Sequence, residues 1–107
     1  MNMQDQIKAR TKGVGIKVIS LVEHLPNKPA AWVLSKQILR RSTAIGADYR
    51  AVCRAKSTAD FSNKLKIVEE ETDETIYWLE IMLESGLITA DKIKERYLKL
   101  LKCWQSS

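Results

Sequence analysis

Apolar side chains recur every three or four residues along most of this chain, which is the spacing of one face of an α-helix. In the central part of the sequence this inner stripe contains Leu34, Ile38, Ser42, Ile45, Tyr49 and Val52. A second stripe with the same rhythm falls on a different face and contains Lys36, Arg40, Ala47, Arg50 and Arg54. We therefore predict a long helix with an apolar side turned inward and a cationic side turned to solvent.

The same spacing predicts three more helices. The predicted helices run from about 5 to 24, 30 to 55, 58 to 85 and 90 to 104. Pro26 and Pro29 separate the first two, because proline is tolerated in a first turn but not in a helix interior. Ser57 followed by Asp60 resembles a capping box, and Gly86 is typical of a position just past a helix end. Short connections then favour an all-α fold, an antiparallel up-down-up-down four-helix bundle forming a single domain over residues 1–107.

Residues 42–47 are mostly small, and Gly46 lies in the middle of a predicted helix. Glycine there costs about 1 kcal/mol relative to alanine, so we expect a packing reason. Small side chains allow a neighbouring helix to approach closely.

Composition is that of a globular domain, with 45% hydrophobic and 29% charged residues among 107. No segment approaches the roughly 20 apolar residues of a membrane span, and no apolar leader is present at the N-terminus. Cys53 and Cys103 are isolated, which predicts reduced thiols and a cytoplasmic protein without membrane contact.

Charge is divided into blocks. Residues 27–66 hold nine basic and two acidic residues, whereas residues 67–86 hold seven acidic and no basic ones. The basic block predicts a phosphate-binding surface, for which the candidate nucleic-acid-binding residues are Lys36, Arg40, Arg41, Arg50, Arg54, Lys56, Lys64 and Lys66. The alternative is a solvated or ion-paired face, in which Lys36 and Arg40 pair with Glu80 and Glu84. No aromatic stacking motif or helix-turn-helix is evident that would read bases.

Some apolar residues exceed what a monomeric four-helix core can bury. The candidate oligomer-interface residues are Trp32, Leu39, Trp78 and Ile81. If the acidic stripe of the third helix meets a cationic stripe on a neighbour, such head-to-tail contacts close into rings. The alternative is that these four are ordinary core or scattered surface residues.

Groups that could perform catalysis are scarce. His24 is the sole histidine, and the acidic run at residues 69–74 reads as a solvated helix face, because helical spacing spreads its side chains around the axis. There is no glycine-rich phosphate loop and no nucleophile elbow. We expect no enzyme activity, no metal and no cofactor.

Three segments, residues 37–51, 57–65 and 71–79, resemble the four-helix-bundle family of 23S ribosomal RNA intervening-sequence proteins, often labelled S23 ribosomal protein. The resemblance implies a homopentameric barrel. It also implies kinship with the accessory protein of diversity-generating retroelements, which binds nucleic acid and a reverse transcriptase through a basic surface. This chain departs from the usual pattern at Ala44, Asp48 and Ala51, where the family commonly has Ser, Asn and Glu.

Two functions follow as hypotheses. The first is a non-enzymatic, oligomeric accessory protein that binds RNA or DNA through the basic surface of its second and third helices and supports a reverse transcriptase or an RNA. The alternative is a protein-interaction scaffold with no nucleic-acid role, in which the charge blocks serve subunit contacts.

Overall fold

A computed structural model describes residues 2–89 of the chain. Within them the helices are α1 (Met3–Val22), α2 (Pro29–Cys53) and α3 (Thr58–Glu84), and every regular element is helical. The predicted boundaries of these helices are confirmed to within two residues. The predicted fourth helix, at about 90–104, lies outside the described residues. Helix α2 packs against both α1 and α3 and is therefore the centre of the described fold.

The ends of the helices follow the local signals in the sequence. The backbone N–H of Asp60 donates to Ser57 Oγ at 3.0 Å, which confirms the predicted cap of α3. The Asp60 carboxylate in turn accepts from the backbone N–H of Lys56 at 3.0 Å, one residue earlier than in the usual capping box. Asn2 caps α1, because its Oδ1 accepts a hydrogen bond from the backbone N–H of Asp5. Gly86 follows α3 with φ of 80°, a left-handed conformation that favours glycine.

The core follows the inner stripe of α2. Ile38, Ser42, Ile45, Tyr49 and Val52 are all buried, as their spacing predicts. They contribute to two apolar clusters, which are built with residues of α1 and α3. Each fully buried aliphatic side chain of this kind stabilises the fold by about 1.5–3 kcal/mol relative to an exposed one.

Three large apolar side chains at helical spacing are exposed. Phe61 on α3, and Ile16 and Ile19 on α1, are between 43% and 58% accessible. Their spacing was compatible with burial, but among residues 2–89 no element covers these positions. No helix in this described part of the chain is long and apolar enough to cross a membrane.

Helices α1 and α2 pack closely against each other at Gly46. A Cβ atom built there would lie 3.1 Å from the backbone nitrogen of Lys12 and 3.2 Å from the carbonyl carbon of Thr11. The predicted packing reason for this glycine is confirmed, and the neighbour is α1. The contact fixes which α1 side chains stand beside the cationic stripe of α2.

Candidate nucleic-acid interface

One stripe of α2 is exposed along almost its whole length. Its members are Trp32, Lys36, Arg40, Thr43, Ala47, Arg50 and Arg54, which we call the outer stripe. They recur every three or four residues, so they share one helix face. At 1.5 Å per residue, the outer stripe is about 33 Å long. Its middle is made of small side chains, and its cations lie toward both ends.

The C-terminal half of the outer stripe borders a groove between α1 and α2. The groove encloses about 430 Å³, and its cations are Lys12, Arg50 and Arg54. The exposed side chains of Ile16 and Ile19 form its apolar wall, and none of the residues 2–89 that line it is acidic. Arg50 and Arg54 are one helical turn apart, and Lys12 belongs to the opposite helix. Three positive charges from two helices therefore border one cleft.

The sequence pattern did not predict Lys12 as part of the cationic surface. The available signal was Gly46, which indicated a close helix contact without saying which helix makes it. Since the approach at Gly46 is to the backbone of Lys12 itself, the lysine stands beside the arginines of α2.

Six of the eight candidate nucleic-acid-binding residues are exposed and form no ion pair within residues 2–89. They are Lys36, Arg40, Arg50, Arg54, Lys56 and Lys66. The pairing of Lys36 and Arg40 with Glu80 and Glu84, considered above as an alternative, is not formed. The greater part of the predicted cationic surface is thus available to an external anion.

The other two candidates are engaged by carboxylates of α3. Arg41 Nε lies 2.9 Å from Glu74 Oε2, and Lys64 Nζ lies 2.6 Å from Asp60 Oδ2. The Lys64 hydrogen bond, together with that from the backbone of Lys56, holds the pKa of Asp60 below its ordinary value. Both cations are therefore partly neutralised inside the chain, unlike the six exposed ones.

Glu71 departs most from the sequence-based expectation. It was assigned to a solvated acidic face, yet it is only 7% exposed, because it shares an inner face of α3 with Val68 and Thr75. Burial raises its pKa to about 8, and hydrogen bonding and charge from Asp48 act in the same direction. The positive charge of Arg41 opposes this rise.

Asp48 and Arg41 of α2 meet Glu71 and Glu74 of α3 at what we call the α2–α3 seam. The hydrogen-bonding capacity of these side chains is incompletely satisfied. Among residues 2–89, Glu71 Oε1 has no hydrogen-bond partner, and Arg41 Nε is buried and close to Glu74 without the alignment of a hydrogen bond. The carboxyl group of Asp48 beside Glu71 makes this seam a pair of acids. The seam binds a proton more readily than isolated carboxylates would.

The four candidate interface residues do not share one environment. Leu39 and Trp78 are partly buried against the core of their own chain, and Ile81 is also partly buried. Trp78 makes an edge-to-face contact with Tyr77, with ring centroids 5.0 Å apart. Trp32, in contrast, is 55% exposed, and its indole N–H donates to Asn27 Oδ1 at 2.7 Å.

Comparison with known proteins places this geometry in a family. A search of curated proteins found no match. A solved structure with a similar fold is that of a protein with unknown function from the S23 ribosomal protein family of Bacteroides thetaiotaomicron VPI-5482. It is 34% identical, with a TM-score of 0.72, and the match covers 94% of this chain and 99% of that one. The model of the 23S rRNA-intervening sequence protein family matches residues 4–105. An all-helical chain organised around α2 and matched over almost its whole length by that model is therefore a member of the 23S rRNA-intervening sequence protein family.

Proposed function

We propose that this chain is a non-enzymatic nucleic-acid-binding accessory protein that acts as an oligomer. The observation that carries the proposal is the convergence of Arg50, Arg54 and Lys12 on one groove, whose lining within the described part of the chain contains no acidic residue. Lys36, Arg40, Lys56 and Lys66 extend the exposed positive charge beyond the groove. The family's own name refers to ribosomal RNA, which is consistent with a polyanionic partner.

The chemistry of these groups favours phosphate. An arginine presents a planar fork of donors that matches two phosphate oxygens, and lysine adds a compact point charge. Each neutralised phosphate releases condensed counterions, so affinity falls steeply as salt rises. Such contacts position a nucleic acid without reading its sequence.

Binding can be tested with labelled structured RNA, single-stranded RNA and duplex DNA across a salt series from about 50 to 200 mM. Arg54→Glu is expected to weaken binding at least tenfold and to flatten the salt dependence. Arg10→Glu is the matched control, because Arg10 is an exposed cation that does not line the groove. Absence of binding by the unmodified protein at low salt, or an equal loss in both variants, would contradict the proposal.

The oligomer is proposed as a pentamer, following the family resemblance, with an antiparallel four-helix bundle as its subunit. Repeating the basic surface on several subunits would give strong avidity, even if one copy binds weakly. Trp32 is the candidate interface residue with the largest exposed side chain, while Leu39, Trp78 and Ile81 offer smaller remaining areas. Light scattering at two salt concentrations measures the mass, and a monomer in both would exclude the assembly.

A second candidate function is a protein-interaction scaffold. The observation that favours it is the outer face of α3, where Glu69, Glu70 and Asp73 are exposed beside Tyr77. An acidic helix face complements a cationic apolar groove such as the one between α1 and α2. If this function is correct, Glu70→Lys combined with Asp73→Lys lowers the oligomeric mass, and the protein binds no nucleic acid. A reverse transcriptase as partner stays a prediction of the resemblance.

A further inference from the structure

Trp32 stands at the N-terminal end of the outer stripe, where nothing in the packing of residues 2–89 explains its exposure. Its side chain is 55% exposed, although tryptophan is the side chain with most to gain from burial. The adjacent Val33 is 60% exposed, so this end of α2 is open to solvent on more than one side.

The indole ring is held in one orientation by its own chain. Its N–H donates to Asn27 Oδ1 at 2.7 Å, across the loop that precedes α2. The backbone N–H of Trp32 also donates to the carbonyl of Lys28 at 3.0 Å, which secures the first turn of the helix. The indole has one hydrogen-bond donor, which is already paired. The exposed part of the ring is therefore an apolar π surface with no further hydrogen-bonding group.

Cations continue from this ring along the same face. Lys36 and Arg40 follow Trp32 at intervals of four residues, which is a rise of about 6 Å for each step. Both are exposed, and neither forms an ion pair within residues 2–89. An aromatic face followed by evenly spaced cations is the arrangement with which proteins bind single-stranded nucleic acid, since bases stack on the ring and phosphates follow the charges.

We propose that Trp32 is a stacking platform for an unpaired base, with Lys36 and Arg40 holding the adjoining phosphates. This inference rests on the proposed nucleic-acid function and narrows its ligand to strands with unpaired bases. In a duplex the bases are already stacked on one another, so no base presents a free face on which the indole ring of Trp32 could stack. The positive charge beside the ring favours a polyanion over an apolar protein surface, and a second copy of this chain is the competing occupant.

The test compares an oligouridylate with a blunt-ended RNA duplex of the same length, using the full chain. Trp32→Ala is expected to weaken oligouridylate binding by about 5- to 150-fold, the range that loss of one stacked base corresponds to. Trp32→Phe should retain most of the affinity, because it keeps an aromatic face. Val33→Ala is the matched control, since it removes an equally exposed apolar side chain one residue away.

Two further readouts separate stacking from a structural role. Oligouridylate should quench the tryptophan fluorescence of the unmodified protein, and the quenching should be lost in Trp32→Phe, which retains Trp78 and Trp104. Trp32→Ala should leave the salt slope unchanged, whereas Lys36→Gln with Arg40→Gln should reduce that slope.

Several results would overturn this inference. Undiminished oligouridylate binding by Trp32→Ala would do so, as would an equal loss of binding to the RNA duplex. A fall in oligomeric mass in Trp32→Ala would assign the ring to a contact between copies instead. These outcomes leave the proposed function standing as long as the unmodified protein binds nucleic acid in a salt-dependent manner, whereas no binding at all would remove both.

Discussion

The carboxyl group of Asp48 on α2 faces that of Glu71 on α3, and the two acids meet where Glu71 is 93% removed from solvent. The nearest compensating cation, Arg41, lies within 2.9 Å of Glu74 and is shared with it. Burial and Asp48 together raise the pKa of Glu71 from its ordinary value of 4.5 to about 8. This seam therefore couples the stability of the fold to pH.

The first prediction is a loss of stability as pH rises from about 4.5 to about 8. In this window the unfolded chain has released the Glu71 proton while the folded chain still holds it, so raising the pH favours unfolding. The free energy of unfolding should fall by up to a few kcal/mol and level off above about pH 8. Denaturant unfolding measured across this range tests it. Glu71→Gln serves as the reference, and an identical slope in that variant would show that another group is responsible.

Asp48→Asn should stabilise the protein near neutral pH by about 1 kcal/mol, because Glu71 beside Asp48 must keep a proton that the unfolded chain releases, whereas an amide can donate to ionised Glu71. The pKa of Glu71 should fall toward its ordinary value. Carboxyl-carbon NMR titration measures the pKa, and chemical unfolding measures the stability. The control is Asp73→Asn, at an exposed position of α3, the helix that carries Glu71. It should leave the pKa of Glu71 and the stability nearly unchanged. Equal effects in the two variants would point to net charge as the cause.

Gly46→Ala should destabilise the protein by about 1–3 kcal/mol, although alanine is the better helix former. The added methyl group would lie 3.1 Å from the backbone nitrogen of Lys12, which cannot move without shifting α1. Gly13→Ala is the matched substitution, since among residues 2–89 no atom other than those of its chain neighbours and its own helix backbone lies within 4 Å of the added Cβ. It should stabilise by about 1 kcal/mol. Thermal or denaturant unfolding of the two variants checks the sign of each change in stability. Two changes of the same sign would contradict the close contact between Gly46 and the backbone of Lys12.

Ser57→Ala should cost about 1 kcal/mol, because it removes the acceptor for the backbone N–H of Asp60 at the start of α3. Ser62→Ala makes the same chemical change at an exposed position inside α3, where no capping bond is lost. That control should be neutral or slightly stabilising. Equilibrium unfolding of both variants provides the comparison, and a Ser57→Ala protein as stable as the control would argue against the cap.

Local signals were sufficient for the features that depend on one helix. The cap at Ser57, the left-handed Gly86 and the buried inner stripe of α2 were all predictable, because each depends on spacing or on backbone preference within a few residues. Gly46 was recognised as a contact position for the same reason, but its partner was not.

The features that were missed depend on neighbours distant in sequence. Lys12 joins Arg50 and Arg54 because α1 approaches α2 at Gly46. Exposure of Trp32 also required the structure, since an apolar residue at that spacing could equally have been covered by another element.

By itself, the sequence determined an all-helical chain, the limits of α1, α2 and α3, and the face of α2 that carries its exposed cations. These follow from a 3.6-residue period, which sets where each side chain lies around its own helix axis. The tertiary structure decided which charges are engaged and which stay exposed, pairing Arg41 with Glu74 and enclosing Glu71 beside Asp48. Periodicity sets the orientation of a side chain within its own helix, whereas burial and charge pairing depend on which other helix lies opposite and how closely it packs.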